Sequence, residues 1–316
     1  NSGTSALELI FRSIDVSGSE VIIPSNTFIA TANAVINAGA TPVLADCDSK
    51  LCLDYDSVLR SITKQTKAIC YVHIGGIVTP DILKIKELCK EKNIFLIEDA
   101  AQGHGSSING IKVGNIGDAA AFSFFSTKIM TTGEGGMVTS NNKNIVSKMF
   151  SMREFGKKPK GVYINNYEFI GYNWRMPEVA SLIGLSQLRN IDVFIKKRNQ
   201  IADIYNKILD TDTPDYYIVK PDDGSISNYY KFTLILNKTI NRTKLHNLFL
   251  DKQISPSGYI YEIPLHKVSV LNQYVNVYEK DLSTTENLCN RHFCLPIYPL
   301  LTKNDAKFIA LTFKKA

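Results

Sequence analysis

Short apolar runs alternate with helix-patterned segments through the first 145 residues, and this alternation constrains the fold more than any other feature of the chain. The runs at 20–23, 42–45, 67–73, 94–98 and 119–125 are brief and rich in β-branched and aromatic residues, as strands covered on both faces are. Between them, 6–12, 27–38, 56–62 and 80–92 carry helical patterns, with Pro80 suited to a first turn and Thr79 to the N-cap before it. Strand–helix alternation predicts an α/β fold with a mostly parallel central sheet. Residues 177–209 predict one long helix with room for a kink. After Asp210 the texture turns polar and turn-rich, then offers a strand at 229–236 and a helix at 243–252. The expected organisation is a large domain over 1–205 and a smaller α+β domain over 206–316.

Composition removes several classes of function. A chain of 316 residues can bury a full core without disulfides or a structural metal. No apolar run approaches the ~20 residues needed to cross a bilayer, so no membrane role is expected. The six cysteines form no Cys-x-x-Cys pair and no zinc-spaced cluster with histidine, which predicts free thiols in a reducing, cytoplasmic compartment and no metal. The net charge of +6 favours anionic ligands. Its basic residues are scattered, however, and the densest run, Lys157-Lys158-Pro159-Lys160, reads as a solvated loop. A nucleic-acid partner is therefore not expected. The opening Asn-Ser-Gly-Thr-Ser-Ala-Leu reads like the interior of a longer chain, and a missing upstream segment is expected.

Ligands of parallel α/β sheets gather at the carboxyl ends of strands. His73, Glu98-Asp99 and Ser126-Thr127-Lys128 all fall at such ends. Lys128 is followed by Gly133, Gly135 and Gly136, which permit close backbone approach to a ligand. A lysine amine becomes a nucleophile only when neutral, in a desolvated or cationic pocket; on its own, such a lysine is more often a surface residue starting a turn. Asp99 closes a buried strand, where a carboxylate is costly unless a cation meets it, although an isolated aspartate there commonly ties a loop. Ser2, Gly3, Thr4 and Ser5 open a helix and suit a phosphate, or an ordinary N-cap. Neither a Walker nor a Rossmann glycine loop occurs, which sets nucleotide binding of those kinds aside.

Taken together, SGTSAL (2–7), NTFIATANAV (26–35), EDAAQGHG (98–105), FSFFSTK (122–128), TTGEGG (131–136), GYNWRM (171–176), PLH (264–266) and LPIYP (295–299) resemble the DegT/StrS family of sugar aminotransferases, fold-type I pyridoxal 5'-phosphate (PLP) enzymes. The resemblance spans nearly the whole chain. It implies that Lys128 is the Schiff-base lysine and proton shuttle. Asp99 would pair with the pyridine nitrogen, and Gln102 would contact the ring hydroxyl side. Phe28 would stack on the ring, while Gly3, Thr4 and Ser123 would hold the phosphate. Asn173 would reach the phosphate from a neighbouring subunit, implying a homodimer with shared sites. His73, His104 and His266 are weaker candidates for the sugar pocket; for His73 a structural role weighs equally. Arg175 is expected in a structural ion pair. Two departures stand out: the family carries several tens of residues before SGTSAL, and Ser126 stands where many members have Pro or Gly.

The implied reaction moves an amino group from L-glutamate to a nucleotide-linked 4-keto-6-deoxy sugar, through pyridoxamine 5'-phosphate. A C3 ketone is the alternative, and a non-catalytic regulator that kept the fold is a second one. A related dehydratase branch carries histidine at the lysine position, so Lys128 disfavours it.

Overall fold

The computed structural model describes residues 1–158, 166–279 and 281–315. Pro159 and Lys160 of the basic run therefore lie outside the described residues. The chain begins with α1 (Gly3–Ser13), β1 (Glu20–Pro24), α2 (Ile29–Asn37), β2 (Thr41–Ala45) and α3 (Tyr55–Ser61). It continues through β3 (Thr66–Val72), α4 (Asp81–Lys92) and β4 (Phe95–Asp99), then a small pair, β5 (Ser107–Ile108) and β6 (Ile111–Lys112). Next come β7 (Ala119–Ser123), β8 (Gly136–Thr139), α5 (Lys143–Arg153), α6 (Glu178–Arg189) and α7 (Ile191–Leu209). The remainder is β9 (Tyr216–Ile218), β10 (Ser225–Ile226), β11 (Phe232–Leu236), α8 (Arg242–Asp251), α9 (Ser283–Arg291), β12 (His292–Leu295) and α10 (Lys303–Lys314).

The central sheet has the order β2-β1-β3-β4-β7-β8. Its first five strands pair in parallel, and β8 closes the edge antiparallel to β7. Alternation along each strand sorts side chains onto two faces. Ile22, Val43, Ile69, Tyr71 and Leu96 pack with α3 and α4, whereas Val21, Ile23, Leu44, Cys70 and Ile97 pack with α1 and α2. A third core joins α7, α8 and α10 to β9, β11 and β12 through Tyr205, Phe232, Leu234, Phe249, Phe293 and Phe313. Position 205 lies inside α7.

The α/β expectation holds, with local differences. The predicted long helix is two, α6 and α7, broken at Asn190, whose backbone leaves helical geometry. Thr79 does not cap α4; Pro80 occupies that position, and the Thr79 hydroxyl instead bonds Tyr71 OH at 2.7 Å. A buried tyrosine hydroxyl needs a partner, and that requirement outweighs capping. Among the described residues, no helix is long and apolar enough to cross a membrane.

Helix α1 begins in a capping box. The Ser2 side chain accepts from Ser5 N–H, and the Ser5 side chain accepts from Ser2 N–H, each at 3.0 Å. Leu7, Ile10 and Phe11 are buried on one face, each worth roughly 1.5–3 kcal/mol. The helix start is pressed against the sheet edge. A Cβ on Gly136 would lie 2.1 Å from the Ser2 carbonyl oxygen. Gly136→Ala is therefore expected to cost about 1–3 kcal/mol as the backbones part. Thermal unfolding should show it as a lowered Tm; an unchanged Tm would contradict this packing.

Candidate active site

The carboxyl ends of β3, β4 and β7 open onto a cavity of about 410 Å³. Asp99 and Ser123 are the last residues of their strands. The first turn of α1 contributes Ser2, Gly3 and Thr4; Phe28, Thr31, Gln102, Thr127 and Lys128 complete the near wall. Tyr230, Lys231, Tyr259 and Tyr261 form the far wall, from the C-terminal part of the chain. Gly3, Thr4, Phe28, Asp99, Gln102, Ser123 and Lys128 are thus brought together.

Glu98 and Asp99 are neighbours on β4 and so face opposite sides of the sheet. Glu98 turns into the protein body and is fully buried. Its carboxylate bonds His73 Nε2 at 2.9 Å and accepts the N–H groups of Gly114, Ile116 and Gly117 at 2.8–3.0 Å. Burial pushes its pKa up, but these bonds outweigh it and hold the carboxyl below its ordinary range. Asp99 turns toward α2 and the cavity. It accepts from Thr31 Oγ1 at 2.8 Å and from Ala101 N–H at 3.1 Å. Among the described residues no cation lies within 4 Å of it.

Gln102 is held from two directions. Gly75 N–H donates to its Oε1, and its Nε2 donates to Tyr261 OH, each at 2.7 Å. The Tyr261 ring lies 6.2 Å from that of Phe28, nearly parallel. Lys128 makes no ion pair among the described residues, and its ammonium lies 5.0 Å from the Tyr230 ring centre. At the α1 end, a Cβ on Gly3 would lie 2.7 Å from Ser123 Cβ, so only glycine lets α1 start this close to β7.

None of the three candidate histidines lines the cavity. His73 is fully buried and committed to Glu98. His104 lies behind it, its ring 5.2 Å from Phe122 and 5.9 Å from Phe124, with both nitrogens unpartnered among the described residues. His266 bridges Ser25 Oγ at 2.7 Å and Glu286 at 3.0 Å. Each falls at a strand end or loop near the cavity in sequence, but its ring points into packing or to another partner. Asn173 sits in a second depression, which shares Ser2 and Glu134 with the first. Arg175 pairs with Glu154 at 3.1 Å, the structural ion pair expected. Among the described residues no cluster suits a metal.

Sequence reasoning missed Thr31, Tyr230, Lys231, Tyr259 and Tyr261. Thr31 had a local signal, since Thr27 and Thr31 share one side of the α2 start and their hydroxyls bond at 3.0 Å.

Residues 1–314 match the DegT/DnrJ/EryC1/StrS aminotransferase family. The chain belongs to this family. It is 36% identical to GDP-perosamine synthase of Escherichia coli O157:H7 over 98% of its own length and 82% of that protein's. It is 33% identical to dTDP-4-dehydro-2,3,6-trideoxy-D-glucose 4-aminotransferase of Saccharopolyspora spinosa, over 100% and 83%. The crystal structure of a family aminotransferase from Brucella abortus superposes with a TM-score of 0.92 at 26% identity, covering 99% of this chain and 84% of that one. The DegT-family aminotransferases are PLP-dependent sugar aminotransferases, and this chain is one of them.

Within this family member, His104 makes a testable contribution to pH stability. Burial first, and then the Lys128 charge, push its imidazole from 6.5 down to about 3. The folded state thus favours neutral His104. The stability this gives is complete above about pH 6.5 and declines as pH falls toward 3, by up to about 1.4 kcal/mol per unit. His104→Leu should flatten the decline between pH 6.5 and 4 in urea unfolding. Equal slopes for both proteins would exclude this source.

Proposed function

We propose that this chain uses PLP to move the amino group of L-glutamate to the C4 ketone of a nucleotide-linked 4-keto-6-deoxyhexose. The observation that carries this reading is the convergence, in one cavity, of a lysine without an ion pair and a strand-end carboxylate without a cation, both among the described residues, and a helix N-terminus cradled by Gly3. That donor set fits a ligand with an amine-reactive carbonyl, a protonated ring nitrogen and a phosphate. When bound, PLP supplies a carbonyl that takes up amines and a ring that accepts electron density from the donor's Cα. The name of the Saccharopolyspora spinosa relative supports C4.

In this reading Lys128 Nζ would anchor the cofactor, take the proton from the donor's Cα and pass it to the cofactor's C4′; in the second half it would take a proton from that carbon and deliver one to the sugar carbon. Asp99 holds the proton on the ring nitrogen, and Thr31 and the Ala101 N–H fix the carboxylate for that task. Phe28 covers one ring face. The N–H groups at the start of α1, with Thr4 and Ser123, receive the phosphate, aided by the positive end of the helix dipole. Gln102, held by Gly75 and Tyr261, lies on the ring hydroxyl side. Residues 1–205 supply this cofactor side, and 206–316 supply the opposite wall. Six buried free thiols support a cytoplasmic setting.

The partner is a second copy of the chain. Helix α6 buries only Ala180, leaving Val179, Leu182, Ile183, Leu185 and Leu188 at 46–71% exposure. An apolar helix face of this kind suits an obligate interface. Asn173 lies beside it in the depression adjoining the cavity, where it would serve the partner's site. Sedimentation should give about twice 35.2 kDa, and Leu182→Asp should yield an inactive monomer.

The decisive assay supplies PLP, L-glutamate and a panel of GDP-, dTDP- and UDP-linked 4-keto and 3-keto sugars, with products identified by mass and NMR. Transfer to C4 is expected. Transfer only to C3 would move the assignment, and activity confined to simple keto acids would refute it. Lys128→Ala should lose at least the ~10²–10⁴-fold of general acid–base catalysis, and substantial residual turnover would remove Lys128 from its role.

A further inference from the structure

We propose that Lys231 is the cation that receives the phosphate groups of the nucleotide-linked acceptor, setting affinity for the acceptor and not for the amino donor. This rests on the nucleotide-sugar reading above.

The backbone that carries Lys231 is fixed before its side chain is considered. Asn228 is fully buried, and its Nδ2 donates to the carbonyls of Gln102 and His104 at 2.8 and 2.9 Å. Its Oδ1 accepts Tyr230 N–H at 2.8 Å, and its own N–H donates to Ser106 Oγ at 3.0 Å. Tyr229 is held at φ 47°, a left-handed conformation that a tyrosine keeps only under such constraint. Lys231 N–H then donates to the Gly75 carbonyl, whose residue also orders Gln102. The far wall is thereby tied to the near wall.

From that fixed point the Lys231 side chain lines the cavity. Among the described residues its ammonium bonds only neutral acceptors, the carbonyl and the hydroxyl of Ser257. Among the described residues no carboxylate lies within 4 Å. Two of three donors are used, so one remains along with the whole charge. Lys128 and Lys231 flank the same Tyr230 ring, at 5.0 and 5.8 Å from its centre, so their ammonium groups are no more than about 11 Å apart. An acceptor whose ketone meets Lys128 thus has a second cation within reach of its anionic end. Among the described residues, the cavity lining contains no arginine. A phosphate at this wall would therefore be met by the ammonium of Lys231, which binds phosphate as a point charge.

The test compares wild type, Lys231→Met and Lys231→Arg as PLP-loaded enzymes, with matched Tm confirming folding. Calorimetric titration with GDP, UDP and dTDP should weaken for Lys231→Met by about ten- to a hundredfold, with partial recovery in Lys231→Arg. KM for the nucleotide keto sugar should rise by a similar factor while kcat changes less than about threefold. The glutamate half-reaction, followed by cofactor absorbance without any sugar, should proceed at the wild-type rate. A parallel loss in the glutamate half-reaction would reassign Lys231 to the donor carboxylate and overturn the proposal. Unchanged titrations, or a kcat loss at constant KM, would overturn it too. If wild type neither binds a nucleoside diphosphate nor uses any nucleotide sugar, the broader reading fails and this one with it. An active wild type with an indifferent Lys231→Met sinks this proposal alone.

Discussion

The site depends on two adjacent carboxylates at the end of one buried strand. Alternation along β4 sends Glu98 to the α3–α4 side and Asp99 to the α1–α2 side. Each burial is costly unless answered. Glu98 is answered within the protein by an imidazole and three backbone N–H groups. Asp99 receives two hydrogen bonds and opens onto the cavity. The first carboxylate fixes the 114–117 loop and His73, whose N–H in turn bonds the Asp99 carbonyl at 3.2 Å. The second is therefore held in place by its neighbours and faces the cavity.

A second constraint is steric. Helix α1 delivers its N-terminus to the cavity only because Gly3 and Gly136 lack side chains where Ser123 and the Ser2 carbonyl come close. The helix brings its own capping box, so its first turn is ordered before any ligand arrives. An anion reaching this end meets oriented N–H groups without reorganising the chain, which spares binding the cost of ordering that turn.

The near wall was legible in sequence because its residues lie within contiguous motifs that resemble the family's: Asp99 and Gln102 in one, Ser123 and Lys128 in another. The parallel sheet was legible for a similar reason, as its strands are buried on both faces and stand out as apolar runs. The far wall was not. Tyr230 and Tyr261 reach the cavity through tertiary packing more than 100 residues from Lys128, and tyrosines in a strand entry and a loop show no pattern of their own. The histidines misled because an imidazole serves equally as ligand and as buried partner. Only the direction of the ring decides, and the neighbours that set it, such as Gly103 against His73, are not visible in spacing. The break between α6 and α7 was obscured because Asn190 is an unremarkable residue within a continuous apolar pattern.

Net charge also changes meaning once the cavity is in view. The sequence carries +6, yet the charged residues lining the cavity are Lys128 and Lys231 against Asp99 and Glu134, two of each sign. The surplus therefore lies elsewhere on the surface, and at physiological salt its field is screened beyond about 8 Å. Attraction of a phosphorylated ligand cannot come from the overall excess. It arises locally, by separation of charge within a neutral set: the N–H groups at the start of α1, the Lys128 and Lys231 ammonium groups on either wall beside the Tyr230 ring, and the carboxylates of Asp99 and Glu134. A cavity of uniform positive charge would bind phosphates but would oppose the protonated ring nitrogen of the proposed cofactor. The mixed lining is compatible with both, so in the proposed reading the placement of charge matters more than its sum.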